Sequence, residues 1–321
     1  MRKNKLLLGI GLAALVCVAI YQYVNYQAAK IIGQQIDYIN QSYAQMASAG
    51  LMPGLSLSYQ RIKANYWQDD YRIEGLQVDV AAVGVLAEVD KLQVRGFEPG
   101  TLADNGQVSI VGLKLSEGMQ VFLPPELAKL AKGLFINTDY QYHYSGKSGN
   151  LRLTQQLYIG EGLSVNFQLQ MQKMQRFWQF AKQWTAMDAE AQQVFSQSDA
   201  YSQQLTQALT EGLVAEGQLN IVNAGFLQAL YQALRQTEQT AQVEALKGQL
   251  EQFLTQHPSL PSAISQPLLI FLADPRALTF QFKLAQPLSF VQLQQGEWPE
   301  QVQSAEQMLE FGNMLLLVNP E

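Results

Sequence analysis

The sequence predicts an α+β protein: an N-terminal transmembrane helix followed by an antiparallel β-meander sheet packed against long helices. Three observations predict it. An uncharged apolar run, Leu6 to Val24, follows Arg2, Lys3 and Lys5. Between Leu55 and Gln172 apolar residues recur at every second position, punctuated by glycine, which is the pattern of half-buried strands. From Gln175 onward the apolar period is mostly that of a helix.

The first run sets the expected division of the chain: a cytoplasmic N-terminus over 1–5, a transmembrane anchor over 6–26 and an amphipathic juxtamembrane helix over 27–52. At about 1.5 Å rise per residue, a helix of this length spans the ~30 Å hydrocarbon core of a bilayer. The basic residues precede the run and only Lys30 follows closely, so the N-terminus is expected inside and the remainder outside. A cleaved secretory signal has the same outline. Its best small-x-small site, Cys17-Val18-Ala19, lies inside the apolar run, however, and Tyr21, Tyr23 and Tyr26 then follow at positions suited to lipid headgroups. Val16 before Cys17 argues against lipidation. The expected location is therefore the bacterial inner membrane, single-pass, with a periplasmic C-terminal domain.

Composition bounds the rest. Of 321 residues, 48% are hydrophobic and 15% charged, which excludes a disordered chain and supplies a sizeable core. A net charge of -6 without a basic stripe argues against nucleic acid. Cys17 is the one cysteine, so the exported part can hold no disulfide. Glutamine is abundant on helices and strands alike, and reads first as uncharged solvation.

In 27–52, Ile31, Ile32, Ile36, Ile39, Tyr43 and Met46 recur at helical spacing until Pro53-Gly54 ends the helix. The polar face carries few basic residues, so this helix is expected to pack on its own domain. A mainly antiparallel sheet region is expected over 53–173. Its early strands hold Leu55, Leu57 and Tyr59, then Tyr71 to Val80, Val89 to Val94 and Val108 to Leu115, and Pro124-Pro125-Glu126 opens a short helix through Lys132. Tyr140, Tyr142 and Tyr144, then Leu151 to Ile159, then Leu163, Val165, Phe167, Leu169 and Met171 form two consecutive hairpins around Gly146 to Gly149 and Gly160 to Gly162.

A mainly helical region with short strands, packed on the sheet, is expected over 174–321. Phe177, Trp178, Phe180 and Trp184 make one bulky stripe, and Ser198 to Leu213 a second helix. Gln218 to Val222 is a short strand. From Phe226 the apolar face continues past a polar middle without proline or glycine to Leu254, so one long helix to His257, on the order of 45 Å, is expected. A break near Thr240 would make it a helical hairpin. Then come a helix Ser262 to Leu272, a strand Ala277 to Lys283, a helical turn from Pro287, a helix Pro299 to Phe311, and an apolar end, Met314 to Val318.

Motifs that carry chemistry do not assemble. Gly146-Lys147-Ser148 lacks the earlier glycine of a phosphate loop, since position 141 is Gln. His143 and His257 are far apart and have no cysteine to join them, so no metal site is expected. Adjacent Asp69 and Asp70 point in opposite directions on a strand or turn, and a solvated turn explains them better than acid-base work. Gly54-Leu55-Ser56-Leu57-Ser58 lacks the last glycine of a nucleophile elbow. No catalytic residue and no cofactor are expected.

The stretches Leu272-Ala273-Asp274-Pro275-Arg276-Ala277-Leu278-Thr279 and Ala285-Gln286-Pro287-Leu288-Ser289, the step Leu219-Asn220-Ile221-Val222-Asn223 before Phe226-Leu227, and the phrase Tyr71-Arg72-Ile73-Glu74-Gly75-Leu76-Gln77-Val78 carry a resemblance. The chain resembles uncharacterised single-anchor bacterial envelope proteins of the YdgA-like and, more distantly, AsmA-like type. The resemblance implies a periplasmic domain of meanders and helices and, loosely, a role in lipid movement. It carries over no catalytic residue.

The function expected is non-enzymatic binding of an apolar ligand, a lipid, or of an envelope protein partner. The candidate surface is the sheet face with Tyr140, Tyr142, Tyr144, Leu163, Val165, Phe167 and Leu169, beneath the Phe226 to Leu254 helix; the plainer account is that these side chains simply pack on that helix. The alternatives are an assembly factor that uses its long helix to bind another membrane protein, and a hydrolase with an unrecognised site near Asp69 or Asp70.

Overall fold

The computed structural model describes residues 2–81, 83–98, 101–187, 189–237, 240–256 and 261–320, with the side chains of these except 2–20, 97, 98, 189, 190, 193, 240–243 and 246. The strands share one large antiparallel sheet, ordered β1-β3-β4-β5-β6-β7-β8-β9-β10-β11 in chain numbering, with β2 also pairing to β3. The chain divides into two compact units, 1–95 with 110–119 and 96–109 with 120–321.

In the first unit, α1 (Arg2–Ser48) precedes β1 (Leu55–Ser58), β2 (Arg61–Asn65), β3 (Asp70–Val80) and most of β4 (Gly84–Glu98); the end of β5 (Thr101–Leu115) and the short α2 (Glu117–Gln120) return to it. The period-two pattern therefore yields longer strands than the separate short ones it predicts, and β2, not foreseen, pairs with β3 beside β1. The helix docks through a side chain that imitates a strand. Asn40 donates to the Leu57 carbonyl at 2.9 Å and accepts from the Leu57 amide at 2.7 Å, next to buried Ile36.

The predicted transmembrane helix is a correction. Among the described residues no helix is long and apolar enough to cross a membrane. The described part of α1 is interrupted by Gln22, Asn25, Gln27, Lys30, Gln34, Gln35 and Asp37, and it packs on β1 and β2 with Ile36 buried while Ile31 and Ile39 stay exposed. Its Asn25 side chain accepts from the Tyr66 amide at 2.9 Å. The predicted segment 6–26 lies largely among residues whose side chains are outside those described. The signal-anchor and transmembrane readings fall with it.

In the second unit, α3 (Pro125–Ala131) opens on proline as expected, and β6 (Ile136–Ser145), β7 (Asn150–Ile159) and β8 (Leu163–Gln172) form the meander. Gly149 and Gly160 turn the chain with φ of 69° and 54°, a region that glycine enters without strain. Helices α4 (Gln175–Ala186), α5 (Ala189–Ser196) and α6 (Asp199–Glu211) follow, and β9 (Leu213–Asn223) returns to pair with β8.

The expected long helix is two, α7 (Phe226–Arg235) and α8 (Thr240–Gln256). They are tied as a hairpin: Tyr231 donates to Glu244 at 2.6 Å and Arg235 pairs with the same carboxylate at 3.2 Å. Helix α9 (Ser262–Ala273) leads to β10 (Ala277–Ser289), which runs through Pro287 because a bulge between Lys283 and Leu288 interrupts the ladder there. Its end, Ser289, caps α10 (Phe290–Gln295) in a reciprocal box with Gln292, and Ser304 with Gln307 does the same for α11 (Ala305–Gly312) before β11 (Leu315–Val318). These caps set the helix starts later than Pro287 and Pro299 suggest.

Packing splits the predicted aromatic stripe of α4. Trp178 joins a buried cluster with Tyr144, Leu151, Met171 and Met174. Phe180 and Trp184 instead join Phe195 and Tyr201 in a second group of rings, with centroids 5.4 to 6.4 Å apart, that holds α4 to α5 and α6. A third cluster, Leu284, Leu288 and Phe311, seats α11 on β10.

Candidate functional site

Directly opposed residues in an antiparallel pair share a face. The register sets Tyr144 against Leu151 and Leu151 against Met171; Tyr142 against Leu153, then Leu169; Tyr140 against Gln155, then Phe167; and Leu157 against Val165, Ile159 against Leu163. All seven predicted surface residues are therefore on one face. Strands β9 and β10 extend it with Leu219, Ile221, Phe280 and Leu278.

That face is closed at one end and half-open at the other. Tyr144 is buried beneath Trp178, ring centroids 4.5 Å apart and planes 16° apart, and Tyr142 lies 5.5 Å from the same indole. Trp178 Nε1 and Lys182 Nζ each donate to Asp104 at 3.0 Å, which fastens α4 down. At the other end Tyr140 keeps 38% of its surface, and Leu163, Val165 and Phe167 are half-buried. Desolvation pushes the hydroxyls of Tyr140, Tyr142 and Tyr144 above the ordinary tyrosine value. Helix α7 packs on α3, and its first residue, Phe226, sits against Gly162 beside Leu163.

The opposite face went unrecognised in the sequence. One row across it runs Arg152, Gln170, Glu216, Lys283; the next runs Thr154, Gln168, Gln218, Gln281, Leu315; a third runs Gln156, Asn166, Asn220, Thr279, Leu317. Its middle is a hollow of about 350 Å³, rimmed by Asn313. On the β5–β6 side the polar groups satisfy one another: Asp139 accepts from Gln107 at 2.6 Å, from Gln141 at 2.7 Å and from Ser109, and His143 meets Asn105. Over β8 to β10 they do not. Arg152 donates to Gln170 at 2.9 Å, but among the described residues the side chains of Glu216, Lys283, Gln168, Gln218 and Gln281 have no protein partner, although Glu216 and Lys283 are opposed in register. The signal in the sequence was the alternation of glutamine with apolar residues along each strand. It identifies a polar face without revealing which glutamines meet.

The acidic pair has another role. Asp69 has φ of 49° at the end of a short turn, while Asp70 accepts from Arg72 at 2.5 Å and Gln93 at 2.6 Å and lies 3.7 Å from Arg95. Burial works to raise the Asp70 carboxyl, but the hydrogen bonds from Arg72 and Gln93 and the charges of Arg72 and Arg95 outweigh it and hold the group below the usual carboxylate value. A carboxylate so held carries no proton near neutrality. The Gly146-Lys147-Ser148 turn joins β6 to β7 as a hairpin, and His257 lies outside the described residues. Among the described residues no group of three or more His, Cys, Asp or Glu could hold a metal ion.

Residues 156–312, which carry most of this face, match a family model described as an uncharacterized protein. No curated protein matches the chain.

Proposed function

We propose that the protein is a non-enzymatic binding protein whose ligand lies across the polar face of β7 to β10. One observation carries this reading: free amide, carboxylate and ammonium groups from three strands converge on one hollow, while the equivalent groups at β5 and β6 are spent on each other. A surface meant only for solvation has no need of a concavity at the place where its polar groups are left unpaired.

The apolar-ligand reading keeps a place at the Tyr140 end of the opposite face, favoured by the exposed edge of Tyr140 in register with Phe167. It loses the Tyr142 to Tyr144 end to Trp178. The assembly-factor reading loses the continuous helix on which it rested, and the hydrolase reading loses Asp70 to its arginine partners.

A photo-crosslinking residue placed at position 168 or 218 of the full chain, with position 147 as control, tests the polar face. Irradiating cells that produce the protein gives a covalent adduct from 168 or 218 and none from 147. If neither position on the sheet gives an adduct, the face has no ligand and the reading is wrong.

A further inference from the structure

Building on the binding reading for the polar face, we infer that its ligand is a glycan. The groups offered are mainly carboxamides, each able to donate and to accept, as sugar hydroxyls also are. Gln168, Gln218 and Gln281 stand side by side on neighbouring strands, so the amide row advances by about 4.8 Å per strand across the sheet. Glu216 and Lys283 lie one rung along, a single acceptor and a single donor of opposite sign.

The row does not end in solvent-facing polar groups. It ends on Leu315, and the neighbouring row ends on Leu317, 44% and 42% exposed on the edge strand β11. A pyranose has a hydroxyl rim and an apolar C–H face. An amide row that leads onto an aliphatic shelf meets both in one plane.

Other ligand classes fit less well. Among the described residues lining the hollow, an anion of high charge, such as nucleic acid or polyphosphate, would meet the Glu216 carboxylate in the middle, with two cations, Arg152 and Lys283, at the sides. The well-packed centre of a protein interface is depleted in charged residues and enriched in aromatic ones. Leu169, Gly217 and Phe282 also line this hollow, but its other lining residues carry amides or charges.

The test titrates isotopically labelled full-length protein with three soluble probes, a tetramer of N-acetylglucosamine, cellotetraose and tetragalacturonate, and with inorganic phosphate. At least one tetrasaccharide saturates and shifts the side-chain amide resonances of Gln168, Gln218 and Gln281. The double variant Gln218→Leu with Gln281→Leu, at half-buried strand positions that tolerate leucine, weakens binding about tenfold or more, as loss of two hydrogen bonds requires. Leu315→Lys, at the apolar end of the row, weakens binding without lowering the unfolding temperature, and thermal unfolding of each variant reports on folding.

Saturation by phosphate alone, saturation unaffected by either variant, or no response to any tetrasaccharide overturns the glycan assignment. An adduct at position 168 or 218 combined with silence toward all three sugars would leave the binding reading standing and the ligand class wrong.

Discussion

Trp178 stacks on Tyr144 with their ring centroids 4.5 Å apart and their planes 16° apart. That one contact decides how much of the tyrosine-bearing face is core. It converts Tyr142, Tyr144 and Leu169 into a seat for α4, and moves the search for an open surface to the Tyr140 end and to the other side of the sheet.

Truncation at this seat is the sharpest stability prediction. Trp178→Ala should cost about 3–5 kcal/mol, the range for a buried large aromatic, in urea unfolding followed by circular dichroism. Trp178→Phe keeps a ring on Tyr144 but loses the bond to half-exposed Asp104 and part of the buried indole volume, so it should cost about 1–3 kcal/mol, less than the alanine change. Equal costs for the two variants would mean that the stack contributes nothing.

Acid should weaken the protein through Asp70 and Asp104. Both are held below the ordinary carboxylate value, Asp70 by Arg72, Gln93 and Arg95 against the opposing effect of burial, and Asp104 chiefly by hydrogen bonds from Lys182 and Trp178. The stabilisation is complete above the unfolded value of about 3.9 and is lost as pH falls through the lower folded values. Stability measured between neutral and strongly acid pH should therefore fall less steeply in Asp70→Asn than in the parent. An unchanged slope contradicts the assignment.

Alkali should weaken the protein too, through the tyrosine row. Desolvation favours the neutral phenols of Tyr140, Tyr142 and Tyr144, so their contribution is complete below about pH 10, the unfolded value, and is lost as pH rises through the higher folded values. In an ultraviolet titration of the fourteen tyrosines, a late-ionising fraction should shrink in Tyr140→Phe and Tyr142→Phe. Ionisation of all the tyrosines together would rule this out.

The tyrosine face was legible because its pattern is local. Tyr140, Tyr142 and Tyr144 alternate with polar neighbours, as do Leu163 to Leu169, and two turns join them through β7. The polar face was not, because Gln168, Gln218 and Gln281 come from three strands separated by helices, and only register places them in one row. The split of α4 was hidden for a related reason: Trp178 and Trp184 share one apolar stripe, and what each meets depends on distant residues, Tyr144 for the first and Phe195 and Tyr201 for the second. Between α7 and α8 the chain has no proline or glycine over 235–242. The hairpin is set by Glu244 returning to Tyr231 and Arg235, a contact that helix propensity does not encode. At the N-terminus an apolar run invited a membrane reading, while farther along the same helix Asn25 accepts from the Tyr66 amide in the turn after β2, Asn40 bonds Leu57 of β1 and Ile36 is buried.

Under the proposed binding role, a ligand covers the hollow of β7 to β10 where the protein works. Lys283 is exposed there without a partner among the described residues, and Lys147, exposed on the β6–β7 turn, is a matched reference away from it. The direct measurement is the rate of acylation of these two amines by a small amine-reactive reagent, in cells producing the protein and in the purified chain. Occupancy predicts that Lys283 is slowed relative to Lys147 in cells and that the difference disappears on purification. Equal ratios in the two settings would show an empty surface and contradict the account.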